Sequence, residues 1–244
     1  MAVRVYLRSP VAIAWTLVGG LVVGALAVGG WLVASMLRGR GIATDPLFLG
    51  GFGELVYLVA VFLLLVLLAV VWLPFGAGVA HAVGRRARGN PASLRTSVSA
   101  VLGAIAEMGR WLKTRVAVPG LAERLLTTED VAPTEVVTGC APFVVPALVL
   151  DAPDALERAV DRANRVSPTG GRERLLAGAL GATLLATVGI YLGGVVVAVP
   201  VAAAGSPLAV GLLVTGLVVT AALDAAWRAE TYASQDLSEG FRRG

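Results

Sequence analysis

"LVYLVAVFLLLVLLAVVWLPFGAGVAHAV", residues 55–83, decides the fold class. No charged side chain lies between Glu54 and Arg85. A helix needs ~20 apolar residues to cross the ~30 Å hydrocarbon core of a bilayer, and this run exceeds that. It reads as a transmembrane helix. Pro74 fits, because neighbouring groups in a membrane bundle re-satisfy the backbone that a proline frees. The whole chain agrees. Its 244 residues are 57% hydrophobic and 15% charged, with a mean hydropathy of +0.82. Soluble domains carry about 25% charged residues. The composition argues for one polytopic membrane domain, residues 1–244, with no separate soluble domain.

Immediately after this run comes "GRRARGNPASLRTSVSAVLGAIAEMGRWLKTR", residues 84–115. Arg85, Arg86, Arg88, Arg95, Arg110, Lys113 and Arg115 face a single carboxylate, Glu107. By the positive-inside rule this stretch is cytoplasmic. Asn90-Pro91 marks a turn. Leu94, Val98, Val101, Ile105, Met108 and Leu112 then recur every three or four residues, which predicts an amphipathic helix. Such a helix either lies at the membrane interface or packs under the bundle.

Working outward, residues 11–36 form a first span, with Trp15 and Trp31 toward its ends as interfacial aromatics. This run is too long for a signal-peptide h-region of about 7–15 residues, so it is read as a retained span. Residues 175–223 contain no charge. Gly205 and Pro207 divide them into spans at about 175–202 and 207–223, joined by a tight turn. Arg4, Arg8, the cluster at 85–115, Arg172, Arg174, Arg228, Arg242 and Arg243 then fall on one side. Only Arg38 and Arg40 fall on the other. The expectation is an all-α bundle in the plasma membrane, with four spans and both termini cytoplasmic. The section 85–174 is a cytoplasmic or interfacial helical region holding an even number of crossings, so six spans also fit. Residues 131–150 are re-entrant or spanning on this reading.

"CAPFVVPALVLDAPDALERAVDRANRV", residues 140–166, is an apolar run ending in Asp151, followed by a charged helix. Asp151 or Asp154 suits the helix cap and Pro153 its first turn. Pro146, Asp151, Ala155, Leu156, Arg158 and Ala159 give this stretch a pattern. It resembles one in uncharacterised polytopic membrane proteins, similar to the membrane domain attached to some glycerophosphodiester phosphodiesterases. The stretches "GNPASLRTSVSAVLGAIAEMGRW" and "AETYASQDLSEGF" are compatible with that family, so the resemblance spans about 85–244. It implies a multi-span helical fold and no assigned chemistry. The chain departs at 112–135, where such proteins carry a full apolar span and this one carries charges.

The residues offer little chemistry. One cysteine, Cys140, and one histidine, His81, exclude metal centres built from several such ligands. Cys140 reads as a small buried hydrophobe. His81 reads as packed or interfacial, with a proton relay as the sharper alternative. Asp224 is an intramembrane-carboxylate candidate, but Arg228 stands four residues on, which is ion-pair spacing. Gly20-x-x-x-Gly24 and Gly189-x-x-x-Gly193 are candidate close-packing seams. Arg85, Arg86 and Arg88 are topology determinants or contacts to anionic lipid headgroups.

Arg158 and Arg162 are candidate partner contacts. No catalytic, cofactor or metal residue is expected, and no nucleic acid. The expected function is a non-enzymatic structural, assembly or accessory subunit of a membrane complex, with other membrane subunits as partners. One alternative is a transporter or permease subunit, in which the 154–166 helix couples to a cytoplasmic ATPase. The other is an intramembrane enzyme.

Overall fold

The computed structural model describes residues 2–44, 51–116, 143–151, 156–166, 171–196 and 201–242. Among these there is no strand. The helices are α1 (Ala2–Leu7), α2 (Pro10–Thr44), α3 (Gly51–Ala87), α4 (Leu94–Val116), α5 (Val144–Asp151), α6 (Leu156–Asn164), α7 (Arg172–Val196) and α8 (Val201–Arg242). Among the described residues, three stretches are long and apolar enough to cross a membrane: Pro10–Arg40, Gly53–Ala87 and Gly211–Gln235. Cys140 and Asp154 lie outside the described residues.

Local chemistry sets the helix boundaries. Ser9 caps α2: its Oγ accepts from Ala12 N–H at 3.4 Å, and Pro10 opens the first turn. Helix α3 ends in a Schellman motif. Gly89 adopts φ 79°, a left-handed conformation that glycine takes without a Cβ penalty. Gly89 N–H donates to Arg86 O at 3.0 Å, and Asn90 N–H donates to Arg85 O at 2.9 Å. Ser93 then caps α4, its Oγ accepting from Thr96 N–H at 3.2 Å.

Helix α8 runs unbroken from Val201 through Gly205 and Pro207. The tight turn expected at those residues is therefore not there. A proline inside a helix removes one backbone donor. Ala202, Ala203, Ala204, Leu208 and Ala209 around it are strong helix formers, and their propensity carries the helix across.

The chain folds into two compact units. The first comprises residues 1–15, 76–173 and 222–244. The second comprises residues 16–75 and 174–221. In the first unit α5 packs on α4 and α6. Phe143, Val144, Pro146, Ala147 and Leu148 are buried there with Met108, Val79 and Val83. Every residue from Gly76 to Gly84 is buried, so this part of α3 is enclosed on all sides. Alanines make that possible. Ala222, Ala226, Ala229 and Ala233 form a fully buried stripe on α8, and Ala159 and Ala163 form the buried face of α6.

Of the region 131–150, the described part is 143–150, nearly all of it in α5, whose apolar side chains serve a protein core. Residues 131–142, the rest of that region, lie outside the described residues.

The second unit shows the opposite pattern. From Glu54 to Phe75 no residue is buried. Leu21, Leu58, Phe62 and Leu185 all stand well exposed. Its close approaches use single glycines. A Cβ at Gly19 would meet Phe75 at 2.7 Å, and one at Gly216 or Gly30 would strike Thr183 or Leu64. The G-x-x-x-G pairs behave otherwise. A Cβ at Gly20 would come 3.3 Å from Val218, but Gly24 and Gly189 have nothing within 4 Å. Nothing is described of the surroundings of Gly193, and in neither pair do both glycines meet a described neighbour.

Candidate functional site

The first unit holds two clusters of charge. The first is centred on Asp151, the last residue of α5. Arg88, at the C-cap of α3, donates through Nη1 to Asp151 Oδ1 at 2.9 Å. Tyr232 of α8 donates its hydroxyl to Oδ2. Arg162 of α6 brings Nη1 within 3.2 Å of the same oxygen. The Arg88 guanidinium also lies 5.8 Å from the centre of the Tyr232 ring, a cation–π distance. Asp151 and Arg88 side chains are only 14% and 16% exposed, while Arg162 is 52% exposed at the rim. The Schellman cap explains the reach of Arg88: its N–H bonds Gly84 O at 3.0 Å, which holds the side chain at the very end of α3.

The second cluster is centred on Asp224. Arg172, at the start of α7, grips it with two bonds, Nε to Oδ1 at 2.7 Å and Nη2 to Oδ2 at 3.3 Å. Arg228, one turn further along α8, places Nη2 at 2.6 Å from Oδ2. The Arg172 guanidinium stands 5.9 Å from the Trp227 ring centre, and Trp227 packs 6.1 Å from Phe143. The Asp224–Arg228 spacing read from the sequence is an ion pair. Arg172, 52 residues away, is the addition.

Chemically, each carboxylate is faced by two guanidiniums, and Asp151 accepts a phenol as well. Lone pairs engaged in this way tie helices together. A general base needs a free lone pair within reach of a substrate proton. Together the two clusters fasten the end of α3, α5, α6, the start of α7 and residues 224–232 of α8.

The other candidates sit apart from these clusters. His81 is buried in the enclosed part of α3, and its Nδ1 has no hydrogen-bond partner among the described residues. Arg85 and Arg158 are exposed, and Arg86 is half-buried. Arg38 pairs with Glu54 in the second unit, Nε to Oε1 at 2.8 Å. Arg88 and Arg162, singled out as lipid or partner contacts, both bind Asp151. Asp151 is described as a hub at the end of α5, with its carboxylate taken by these partners. Tyr232 and Arg172 carry no local signal in sequence, because each meets its carboxylate across a long stretch of chain.

Comparison of the chain with family models, with curated proteins and with solved structures finds no match. Three of the six residues singled out in 146–159 are placed in the core or in a cluster. Pro146 and Ala159 are core positions and Asp151 is the hub of the first cluster.

Proposed function

We propose that the chain is a multi-pass protein of the cell membrane with four crossings and both termini in the cytoplasm. Its first unit serves as a fixed platform for another subunit of a membrane assembly, and it is not an enzyme. The division of the chain supports the topology. The pieces 16–75 and 174–221 each leave the first unit and return to it. The arginine-rich stretches that the positive-inside rule assigns to the cytoplasm fall in or beside the first unit. The crossings are then about 16–36, 55–75, the apolar length of α7, and the first half of α8.

The observation that carries the platform reading is α6. Its Ala159 and Ala163 are buried, and Arg162 ties it to Asp151. Glu157, Arg158 and Asp161 are exposed on its outer side, and Arg165 is exposed just beyond its end. A short helix locked from behind and charged in front suits recognition of a protein surface.

The same face supports a second reading, in which α6 couples a permease subunit to a cytoplasmic ATPase. One experiment serves both. The tagged full chain is extracted in mild detergent and its stoichiometric partners are identified. The extraction is repeated with Arg158→Glu and Arg165→Glu, which leave the Asp151 cluster intact. A partner lost with these changes supports the platform, and an ATPase among the lost partners selects the coupling reading. A chain that isolates alone in both forms removes both. Cysteine-accessibility mapping of residues 5, 39, 99 and 206 tests the topology separately.

A further inference from the structure

Helix α4 has more apolar surface than its protein neighbours use. Ser97, Val101, Ala104 and Met108 are buried, and at ~100° per residue they fill one arc of about 60°. Ser97 locks this face by accepting from Trp15 Nε1 at 2.9 Å and donating to Gly78 O at 3.3 Å. A second row, Leu94, Val98, Leu102 and Ile105, is exposed, with Leu102 at 62% and Ile105 at 50%. It fills the adjacent arc of about 80°. Packing under the bundle and lying at the interface are therefore not alternatives for this helix.

We infer that α4 is an in-plane membrane anchor: its Leu94–Val98–Leu102–Ile105 row lies in the interfacial region of a bilayer carrying anionic headgroups. This rests on the reading that α3 crosses the membrane. Two observations select a bilayer as the occupant. The first is continuity. The crossing proposed for α3 ends near residue 75, and Ser97 of α4 donates to Gly78 O at 3.3 Å, three residues beyond that end. At 1.5 Å per residue this is about 5 Å along the helix, so α4 stays close to the end of that crossing.

The second is charge. Arg95 and Lys113 border the row about 20° beyond Leu102, and Arg110 lies about 60° further round. Basic residues flanking an apolar stripe are the signature of a helix lying in the interface of an anionic membrane. Glu107, the only carboxylate in the helix, is paired with Arg110 at 3.1 Å.

The test uses the full chain in a Cys140→Ser background, reconstituted in phosphatidylcholine vesicles with and without phosphatidylglycerol. Single cysteines replace Leu102, Ile105, Ser99 and Leu63, and each carries an environment-sensitive fluorophore. Lipids bearing a nitroxide near the headgroup or deep in the acyl chain act as quenchers.

With phosphatidylglycerol present, labels at Leu102→Cys and Ile105→Cys are expected to be quenched at least about twofold more by the shallow nitroxide than by the deep one. Ser99→Cys, on the polar side, should respond to a water-soluble quencher, and Leu63→Cys to the deep nitroxide. Shallow quenching at Leu102→Cys should fall when phosphatidylglycerol is omitted or when Arg95→Gln and Lys113→Gln are introduced.

If Leu63→Cys is quenched and the α4 labels are not, the anchor is wrong and the crossing stands. Apolar emission at Leu102→Cys without lipid quenching would mean that protein covers the row, and also overturns the anchor. Unquenched Leu63→Cys removes the crossing and the anchor together. Lipid-independent quenching overturns the anionic preference on which the assignment rests.

Discussion

The two units use apolar side chains for different purposes. In the first, Leu148, Phe143 and Met108 are almost wholly buried, and two carboxylates are held by arginines from other helices. In the second, Leu21, Leu58 and Leu185 stand exposed, and the Arg38–Glu54 ion pair is about half exposed. Leucine surrounded by protein is held by shape. Leucine facing lipid is held by the solvent that surrounds it, which any apolar side chain satisfies. The difference predicts where mutations are felt.

The sharpest contrast is electrostatic. Asp151→Ala would leave the part-buried Arg88 without its carboxylate; breaking a fully buried pair from one side costs about 3–5 kcal/mol, and this pair is expected at the lower end. The expected result is a lowered melting point in detergent and early hydrogen exchange in α4 and α5. Unchanged protection in those helices would mean that the Asp151 cluster does not fasten the unit.

Next is a paired truncation. Leu148→Ala should cost about 2–5 kcal/mol, as a cavity in a close-packed core does. Leu65→Ala, in the exposed part of α3, opens no cavity and should leave the melting point nearly unmoved. Equal effects would erase the distinction between the units.

Smaller again is Gly78→Ala. Its Cβ would strike the Trp15 ring, and overpacking costs about 1–3 kcal/mol. Gly24→Ala, with open space around it, should be neutral or slightly stabilising because alanine favours helix. The smallest effect belongs to Glu54→Gln. The exposed Arg38 pair is screened by solvent, so no change in unfolding midpoint is expected.

Much of this was legible in sequence, and the limits are instructive. Residues 55–83 read as one apolar run, yet the structure divides them near Gly76. The signal was composition within the run: "LVYLVAVFLLLVLLAVV" is bulky, whereas "FGAGVAHAVG" is small. Small side chains let neighbouring helices approach, which hydropathy does not register. The same holds for α8, where an alanine stripe continues the apolar reading past Asp224 as far as Gln235.

Periodicity found the α4 helix but not its two faces. Val101 and Met108 turn to protein, while Val98 and Ile105 stay exposed. A 3.6-residue period fixes the apolar arc without saying which part of it a neighbour covers. The Asp224–Arg228 pair could be read because its partners are four residues apart. The Asp151–Tyr232 bond could not, because 81 residues separate the partners and only the fold brings them together.

That separation sets a timetable for biogenesis. Asp151 emerges from the ribosome well before Tyr232, and the intervening 81 residues take roughly 4–16 s at ~5–20 residues per second. During that interval Arg88 and Asp151 exist without the tyrosine, and Arg172 exists without Asp224. The first unit draws on residues 1–15 and 222–244 as well as its middle section. Its closure therefore waits for the last apolar helix to be made, and the nascent chain must keep two sets of arginines and an unfinished core in check until then.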